Sequence, residues 1–255
     1  IPIAHVESGL RSFNQNMPEE INRIITDTLS TFLFCPTDDA VKNLASMSRE
    51  ESAKTSGLNP WIENVGDVML DTSLFYRQKT DTKILEQLGV TENNFVLATL
   101  HRDFNTDDKT RLKNITATLN TLAKRLPIVM PLHPRTSQKL KDFNLPEMEN
   151  VKLIAPVSYL EMLALEDNAK FIITDSGGVQ KEAFFLKKPS LILRNETEWI
   201  EIVENGNALL CDADPTLIEE GFEHWMNNPK LTYPEFYGNG NTALQICSTL
   251  VKTLA

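Results

Sequence analysis

The sequence predicts an α/β protein whose parallel sheets are covered by helices on both faces. Three observations lead there. Short apolar runs alternate with segments of helical period along the whole 255-residue chain, the pattern that a parallel sheet and its crossover helices impose. Several of the runs end in basic residues or a glycine turn, at His101-Arg102, His133-Pro134-Arg135, Ser176-Gly177-Gly178 and Arg194, and ligands of such sheets bind beyond the carboxyl ends of the strands. The composition, 41% hydrophobic and 24% charged, is that of a globular protein with ample material for a core.

Taken in order, Ile1 to Val6 is an apolar, strand-like opening with no Met before it, as though a fold were entered partway through. Ser8 to Met17 is a polar loop. Pro18 then takes a favoured first helical position, and Ile21, Ile24, Ile25, Thr28 and Leu29 make one face at helical spacing. Phe32 to Cys35 is a short strand ended by Pro36-Thr37, and a helix follows from Asp38. Trp61 to Val65 leads into Gly66-Asp67-Val68, a boundary. The pattern restarts with a strand from Phe95 to Leu100, and Asn105-Thr106 is expected to cap the helix running to Lys124. Strands follow at Ile128–Leu132 and Val151–Ala155, and Ser158-Tyr-Leu-Glu161 fits a capping box. Phe171 to Thr174 and Ser190 to Leu193 are strands, Thr197 to Asn205 is helical, and Ala208 to Cys211 is a small strand. Pro215 to Met226 is a helix, and a connector from Pro229 to Gly240 precedes a last helix, Thr242 to Leu254.

The most telling stretch is Phe171-Ile-Ile-Thr-Asp175-Ser176-Gly177-Gly178-Val-Gln180-Lys-Glu182. A buried strand empties into Ser-Gly-Gly and a helix begins at once. Glycines let a ligand approach the backbone, and the first-turn N–H groups have no partner inside the helix. With the helix dipole added, that end suits an anion, phosphate above all. Glu182 lies four residues past Gly178, on the same helix face, where a carboxylate suits ribose hydroxyls. A nucleotide diphosphate site is one reading; an ordinary strand-to-helix turn above an acidic helix is the other.

Other residues fit chemistry at a strand rim. Glu7 ends the first strand with Arg11 close enough to fix it, or to form a loop-bracing ion pair. Glu19 and Glu20 follow Pro18, where the dipole favours the ionised carboxylate of a base and where structural acidic residues are also common. Of the four histidines, His101 and His133 end strands beside arginines and suit a phosphate-side role. His5, inside a strand, and His224, beside Trp225, suit structural ones.

The net charge of −10 disfavours nucleic acid as a partner. No metal-ligand spacing, GxSxG elbow or P-loop occurs, so no metal or cofactor is implied and serine hydrolase or P-loop NTPase chemistry is disfavoured. Cys35, Cys211 and Cys247 are scattered and suit a reducing, cytoplasmic setting. No apolar run approaches the roughly 20 residues of a membrane span.

Together these pieces resemble the non-hydrolysing UDP-N-acetylglucosamine 2-epimerases. The matching stretches are His5-Val-Glu-Ser-Gly-Leu-Arg-Ser12, Pro18-Glu-Glu-Ile-Asn-Arg23, Cys35-Pro-Thr37, Gly66-Asp-Val68 and His101-Arg102 with Asn105-Thr-Asp107. They continue with Thr174 to Ala183 and with Arg194 followed by Thr197-Glu-Trp199, in the same order over nearly the whole chain. The resemblance implies the GT-B architecture, two Rossmann-like domains with the nucleotide sugar in the cleft between them. Residues 1–66 would be the back half of the N-terminal domain, 67–240 the UDP-binding domain, and 241–255 a helix packing back toward the first.

It implies elimination of UDP across C1–C2 and re-addition with the opposite configuration at C2, with Glu7 and Glu19 as acid/base carboxylates. His101 would assist at the diphosphate or in proton transfer. Ser176, Gly177 and Gly178 would hold phosphates, Glu182 the ribose, and Arg102 or Arg194 would add positive charge on the UDP side, the side that the strand-end reading also gives to His133. It also implies a homodimer, activated by its own substrate. Family members open with a Gly-rich loop carrying Arg and Pro and supply a further acidic catalytic residue. Neither is matched here, so the 255-residue chain is expected to be a fragment with little or no activity. Glu198-Trp199 stands where many members have Glu-Arg-Pro, a form of the branch acting on other sugars, including UDP-2,3-diacetamido glucuronate. A GT-B glycosyltransferase, a hydrolysing epimerase and a non-catalytic nucleotide-sugar module are the alternatives.

Overall fold

The computed structural model describes residues 1–14, 17–47 and 60–254. They form two compact units, one of residues 1–75 and 234–255, the other of residues 76–233.

In the first unit, β1 (Ala4–Val6), β2 (Phe32–Cys35) and β3 (Trp61–Asn64) make a parallel sheet in that order. The connections are α1 (Pro18–Leu29) and, from β2, α2 (Asp38–Met47). Pro18 does start α1. The apolar stripe expected along that helix, however, faces outward: Ile21, Ile25 and Leu29 are exposed, while Glu20 and Asp27 are buried. The burial of the two carboxylates has a local cause, since the loop after β1 lies along that face of α1 and offers N–H donors and a guanidinium for which Glu20 and Asp27 are the acceptors. The chain leaves this unit within α3 (Val68–Arg77), beyond the boundary expected at Gly66.

The second unit is a six-stranded, wholly parallel sheet. Its strands are β4 (Val96–Thr99), β5 (Ile128–Pro131), β6 (Lys152–Ile154), β7 (Phe171–Thr174), β8 (Ser190–Ile192) and β9 (Ala208–Leu210), in the order β6-β5-β4-β7-β8-β9. The helices in chain order are α4 (Lys83–Leu88), α5 (Asp103–Thr106), α6 (Lys109–Leu122), α7 (Pro134–Asp142), α8 (Tyr159–Asn168), α9 (Gly177–Phe185), α10 (Ile200–Glu204) and α11 (Pro215–Met226). The period of two along each strand divides the core into two layers. Val96, Ala98, Phe171 and Ile173 meet Leu112, Ile115 and Leu119 of α6 and Ile218, Phe222 and Trp225 of α11. Leu97 and Ile172 face the other way, onto Ile84 and Leu85 of α4, Ala164 and Leu165 of α8 and Ala183 of α9.

Two helix starts differ from expectation. Asp108, not Asn105-Thr106, caps α6 by accepting from Thr110 N at 2.7 Å and Arg111 N at 3.0 Å, because Asn105 is consumed at the sheet rim. The helix expected from Thr197 begins at Ile200, since the Thr197 hydroxyl accepts from Trp199 N and donates to Gln180. The Ser158–Glu161 capping box is present.

The last helix, α12 (Thr242–Leu254), belongs to the first unit. Ile246, with Leu250 beside it, joins Phe32, Phe34 and Val65 in a small core. Asp71 caps the helix by accepting from Thr242 N and Ala243 N. Gly66, at φ +83°, lies so near this return segment that a Cβ would sit 2.6 Å from the Tyr237 carbonyl oxygen. No helix among the described residues is long and apolar enough to cross a membrane.

Candidate functional site

In the six-stranded sheet the chain builds outward from β4 to β6, then returns to build β7 to β9 on the other side. The carboxyl ends of β4 and β7 therefore flank the topological switch point, where open α/β sheets bind ligands. The two strands are joined there by a 2.6 Å hydrogen bond between the Thr99 and Thr174 hydroxyls. One residue further, the fully buried Asp175 accepts from His101 N at 3.1 Å, Arg102 N at 2.9 Å and Asn105 Nδ2 at 3.2 Å. Its other oxygen lies 3.3 Å from His101 Nδ1. Asn105 also donates to Leu193 O, extending the tie to the segment after β8. Asp175 thus sets the position of the half-exposed His101 ring. The sequence motif contains this aspartate without marking its task; its signal is a carboxylate directly after a buried strand, where neighbouring strand ends supply N–H groups.

Beyond Asp175, the Ser176 N–H donates to Thr174 Oγ1, and its own hydroxyl accepts from Val179 N, so Ser176 is the N-cap of α9. Gly177 and Gly178 form the first turn. A Cβ on Gly177 would meet only ordinary contacts, the nearest 3.6 Å away at Trp199 Nε1. Packing against Trp199, Arg194 and Glu198 therefore does not by itself demand glycine at this position.

The segment after β8 folds against this turn. Arg194 forms a bidentate pair with Glu198, at 3.0 and 3.1 Å, with both side chains nearly buried. Thr197 Oγ1 donates to Gln180 Oε1 at 2.7 Å, and Trp199 Nε1 donates to Gly177 O at 3.0 Å. The Lys181 ammonium stands 4.4 Å from the centre of the Trp199 ring.

One turn along α9, burial pushes the Glu182 carboxyl up, while a hydrogen bond from the Tyr159 hydroxyl and the Lys181 charge oppose that rise. Behind it, Glu166 of α8 is completely buried, with neither oxygen hydrogen-bonded among the described residues. Burial first, and the Glu182 charge second, push its carboxyl well above the usual range. His133, at the end of β5, is exposed, and its Nδ1 accepts from Arg135 N as the N-cap of α7. The second unit therefore gathers His101, Arg102, Ser176, Gly177, Gly178 and Arg194 around the ends of β4, β7 and β8. Glu182 lies within α9, and His133 stands on the adjoining β5 end.

Glu7 and Glu19 belong to the first unit. Glu7 follows β1 in the left-handed region, at φ 64°, a conformation that costs a non-glycine residue about 1–2 kcal/mol and needs support around it. That support comes from Asp27. Its carboxylate accepts from His5 Nδ1 at 2.6 Å and Gly9 N at 3.2 Å, and it pairs with Arg11 Nη2 at 2.7 Å. On the far side, Ser8 N donates to Phe34 O, and Asn43 Nδ2 to Gly9 O. Gly9, at φ +78°, packs so tightly that a Cβ would lie 2.3 Å from Ala40 O.

Glu20 secures the next stretch by accepting from Ser12 N, Ser12 Oγ and Phe13 N. Of the two adjacent glutamates of α1, Glu20 is thereby committed to the loop and Glu19 is exposed. Asp27 escaped sequence reasoning, although it sits seven residues after Glu20 on the same helix face. Among the described residues no cluster of His, Cys, Asp or Glu could hold a metal ion.

The family model described as UDP-N-acetylglucosamine 2-epimerase matches residues 1–251. A UDP-N-acetylglucosamine 2-epimerase homolog of Methanococcus maripaludis is 45% identical over 257 residues, covering 98% of this chain and 69% of its own length. The UDP-2,3-diacetamido-2,3-dideoxy-D-glucuronate 2-epimerase of Pseudomonas aeruginosa is 44% identical, covering 99% and 68%. Among solved structures, the Methanocaldococcus jannaschii UDP-GlcNAc 2-epimerase in complex with UDP-GlcNAc and UDP superposes with a TM-score of 0.85 at 39% identity, covering 99% of this chain and 69% of that one. With a parallel α/β fold, a matching model over almost every residue and relatives of this similarity, the chain belongs to the UDP-N-acetylglucosamine 2-epimerase family.

Proposed function

We propose that this polypeptide, at the length its relatives have, interconverts UDP-N-acetylglucosamine and UDP-N-acetylmannosamine, a step supplying precursors of surface polysaccharide. The observation that carries the proposal is the Ser176-Gly177-Gly178 turn at the sheet's switch point, beside a His101 whose position Asp175 sets. In the proposed reaction a carboxylate takes the C2 proton, the C1–O bond breaks, and UDP leaves with the bonding pair, giving a 2-acetamidoglucal. UDP then adds back at C1 while a proton is delivered to the opposite face of C2. Glu7 and Glu19 are assigned the two proton transfers. The α9 N-terminus, Ser176 and Arg102 stabilise charge gathering on the leaving diphosphate, with His101 next to them, His133 and Arg194 at its edge and Glu182 on the ribose.

A second reading, epimerisation of a UDP-2,3-diacetamido glucuronate, is supported by the Pseudomonas relative and by the Glu198-Trp199 form. We further propose a cytoplasmic homodimer, testable by light scattering and fractionation. The decisive assay follows solvent deuterium into C2 of each UDP-sugar. Exchange with formation of the C2 epimer is expected; sugar transfer without exchange would identify a glycosyltransferase, and free N-acetylmannosamine plus UDP a hydrolysing enzyme. UDP binding with no exchange, at the relatives' full length, would leave only a binding module.

A further inference from the structure

We propose that Trp199 is a positioning residue for the diphosphate cradle, acting through the Gly177–Gly178 peptide, with Lys181 acting through the Trp199 ring. The inference rests on the nucleotide reading of the Ser176-Gly177-Gly178 turn and adds residues to which that reading gives no part.

The geometry begins with the peptide plane. Gly177 C=O and Gly178 N–H belong to one planar trans unit, so they point in opposite directions and rotate together. This unit lies in the first turn of α9, and with a glycine on either side it has no Cβ to restrict it beyond the helix's own bonding. A diphosphate held by first-turn N–H groups needs that plane fixed. Trp199 Nε1 donates to Gly177 O at 3.0 Å, which sets the carbonyl's direction and therefore the direction of the Gly178 N–H at the other end of the unit. The same bond polarises the peptide and strengthens its N–H as a donor.

Trp199 is itself held on several sides. It is 5% exposed, its backbone N–H donates to Thr197 Oγ1, and Thr197 donates to Gln180 of α9. The Arg194–Glu198 pair closes the loop from which it projects. Over its ring face the Lys181 ammonium stands 4.4 Å from the centroid, and Lys181 is 2% exposed. A cation there draws electron density from the indole and makes its N–H the better donor, while placing a positive charge one turn from the cradle. Lys181 and Trp199 therefore act in series on one backbone N–H.

The test compares UDP with uridine as ligands of the 255-residue chain, by ligand-observed NMR and calorimetry, with circular dichroism and thermal melting as the check on folding. Trp199→Phe keeps a ring face for Lys181 and removes only the N–H donor. Lys181→Met keeps the stem and removes the charge. Each is expected to weaken UDP by about 3- to 10-fold, the range for one lost hydrogen bond, while uridine changes less than about twofold. Lys181→Met should also flatten the salt dependence of UDP binding. Equal weakening of UDP and uridine, or UDP affinity unchanged in both variants, overturns the inference and leaves the nucleotide site standing. Should Trp199→Phe unfold, the UDP-to-uridine ratio of Lys181→Met decides alone. Failure of the unsubstituted chain to bind UDP would remove the nucleotide reading, and this inference with it.

Discussion

Asp27 offers the sharpest test of how the Glu7 turn is held. Replacing it with Ala deletes the partner of Arg11, whose side chain is 3% exposed, and removes the acceptor of Gly9 N–H and His5 Nδ1. Breaking a buried ion pair from one side costs about 3–5 kcal/mol, because the surviving charge remains buried. The orphaned Gly9 N–H adds about 1 kcal/mol. The sum, about 4–6 kcal/mol, is a large share of the roughly 5–15 kcal/mol that holds a typical domain. Urea unfolding followed by Trp61, the one tryptophan in this unit, reports the loss.

The control removes both charges. Arg11→Met with Asp27→Leu removes both members of the buried pair and should be markedly more stable than Asp27→Ala alone. An Asp27→Ala cost below about 1.5 kcal/mol, or a double variant as unstable as the summed single changes, would refute the view that this pair secures the turn. On the proposed mechanism, at the relatives' length, the Ala variant should lose C2 proton exchange while UDP binding, assigned there to residues of the other unit, persists.

Two further outcomes follow from the carboxyls of the second unit. Glu166 has its carboxyl raised in the folded state, so its contribution to stability is complete below the ordinary range near 4.5 and is lost as pH rises toward its folded value. Glu166→Gln removes that loss: its melting temperature relative to the parent should climb between about pH 4 and pH 8, and a constant difference would contradict a buried neutral acid. Glu182→Gln should weaken UDP by about tenfold or more, as loss of a charged acceptor does, and 2′-deoxy-UDP by less. Equal losses for the two ligands, measured by calorimetry, would take Glu182 off the ribose.

The architecture was legible because strands announce themselves locally. Phe95 to Leu100 and Phe171 to Thr174 are apolar runs that end at polar switch-point residues, and nothing distant is needed to read them. The buried carboxylates were not legible for the opposite reason. Whether Asp27 points inward depends on Gly9 and Arg11, which lie in a loop on the far side of β1's end. Periodicity along α1 groups Ile21, Ile25 and Leu29 on one face but does not say which face is covered, and the loop lies on the other.

The same contest separates two neighbours that sequence alone treats alike. Glu19 and Glu20 both sit in the first turn of α1, where the dipole favours either as an ionised base. Successive helical residues point about 100° apart, so the loop can use only one of them. It uses Glu20, for Ser12 N, Ser12 Oγ and Phe13 N. With Asp27 two turns further along the same face, α1 becomes the frame on which the Glu7 turn is built, and Glu19 stays on the exposed side. On the proposed mechanism the helix then does two things: its buried carboxylates hold one acid/base group in a strained conformation, and its exposed carboxylate is the other. A substitution at Glu20 should therefore act on Glu7, through the loop, before it acts on Glu19, its neighbour in the chain.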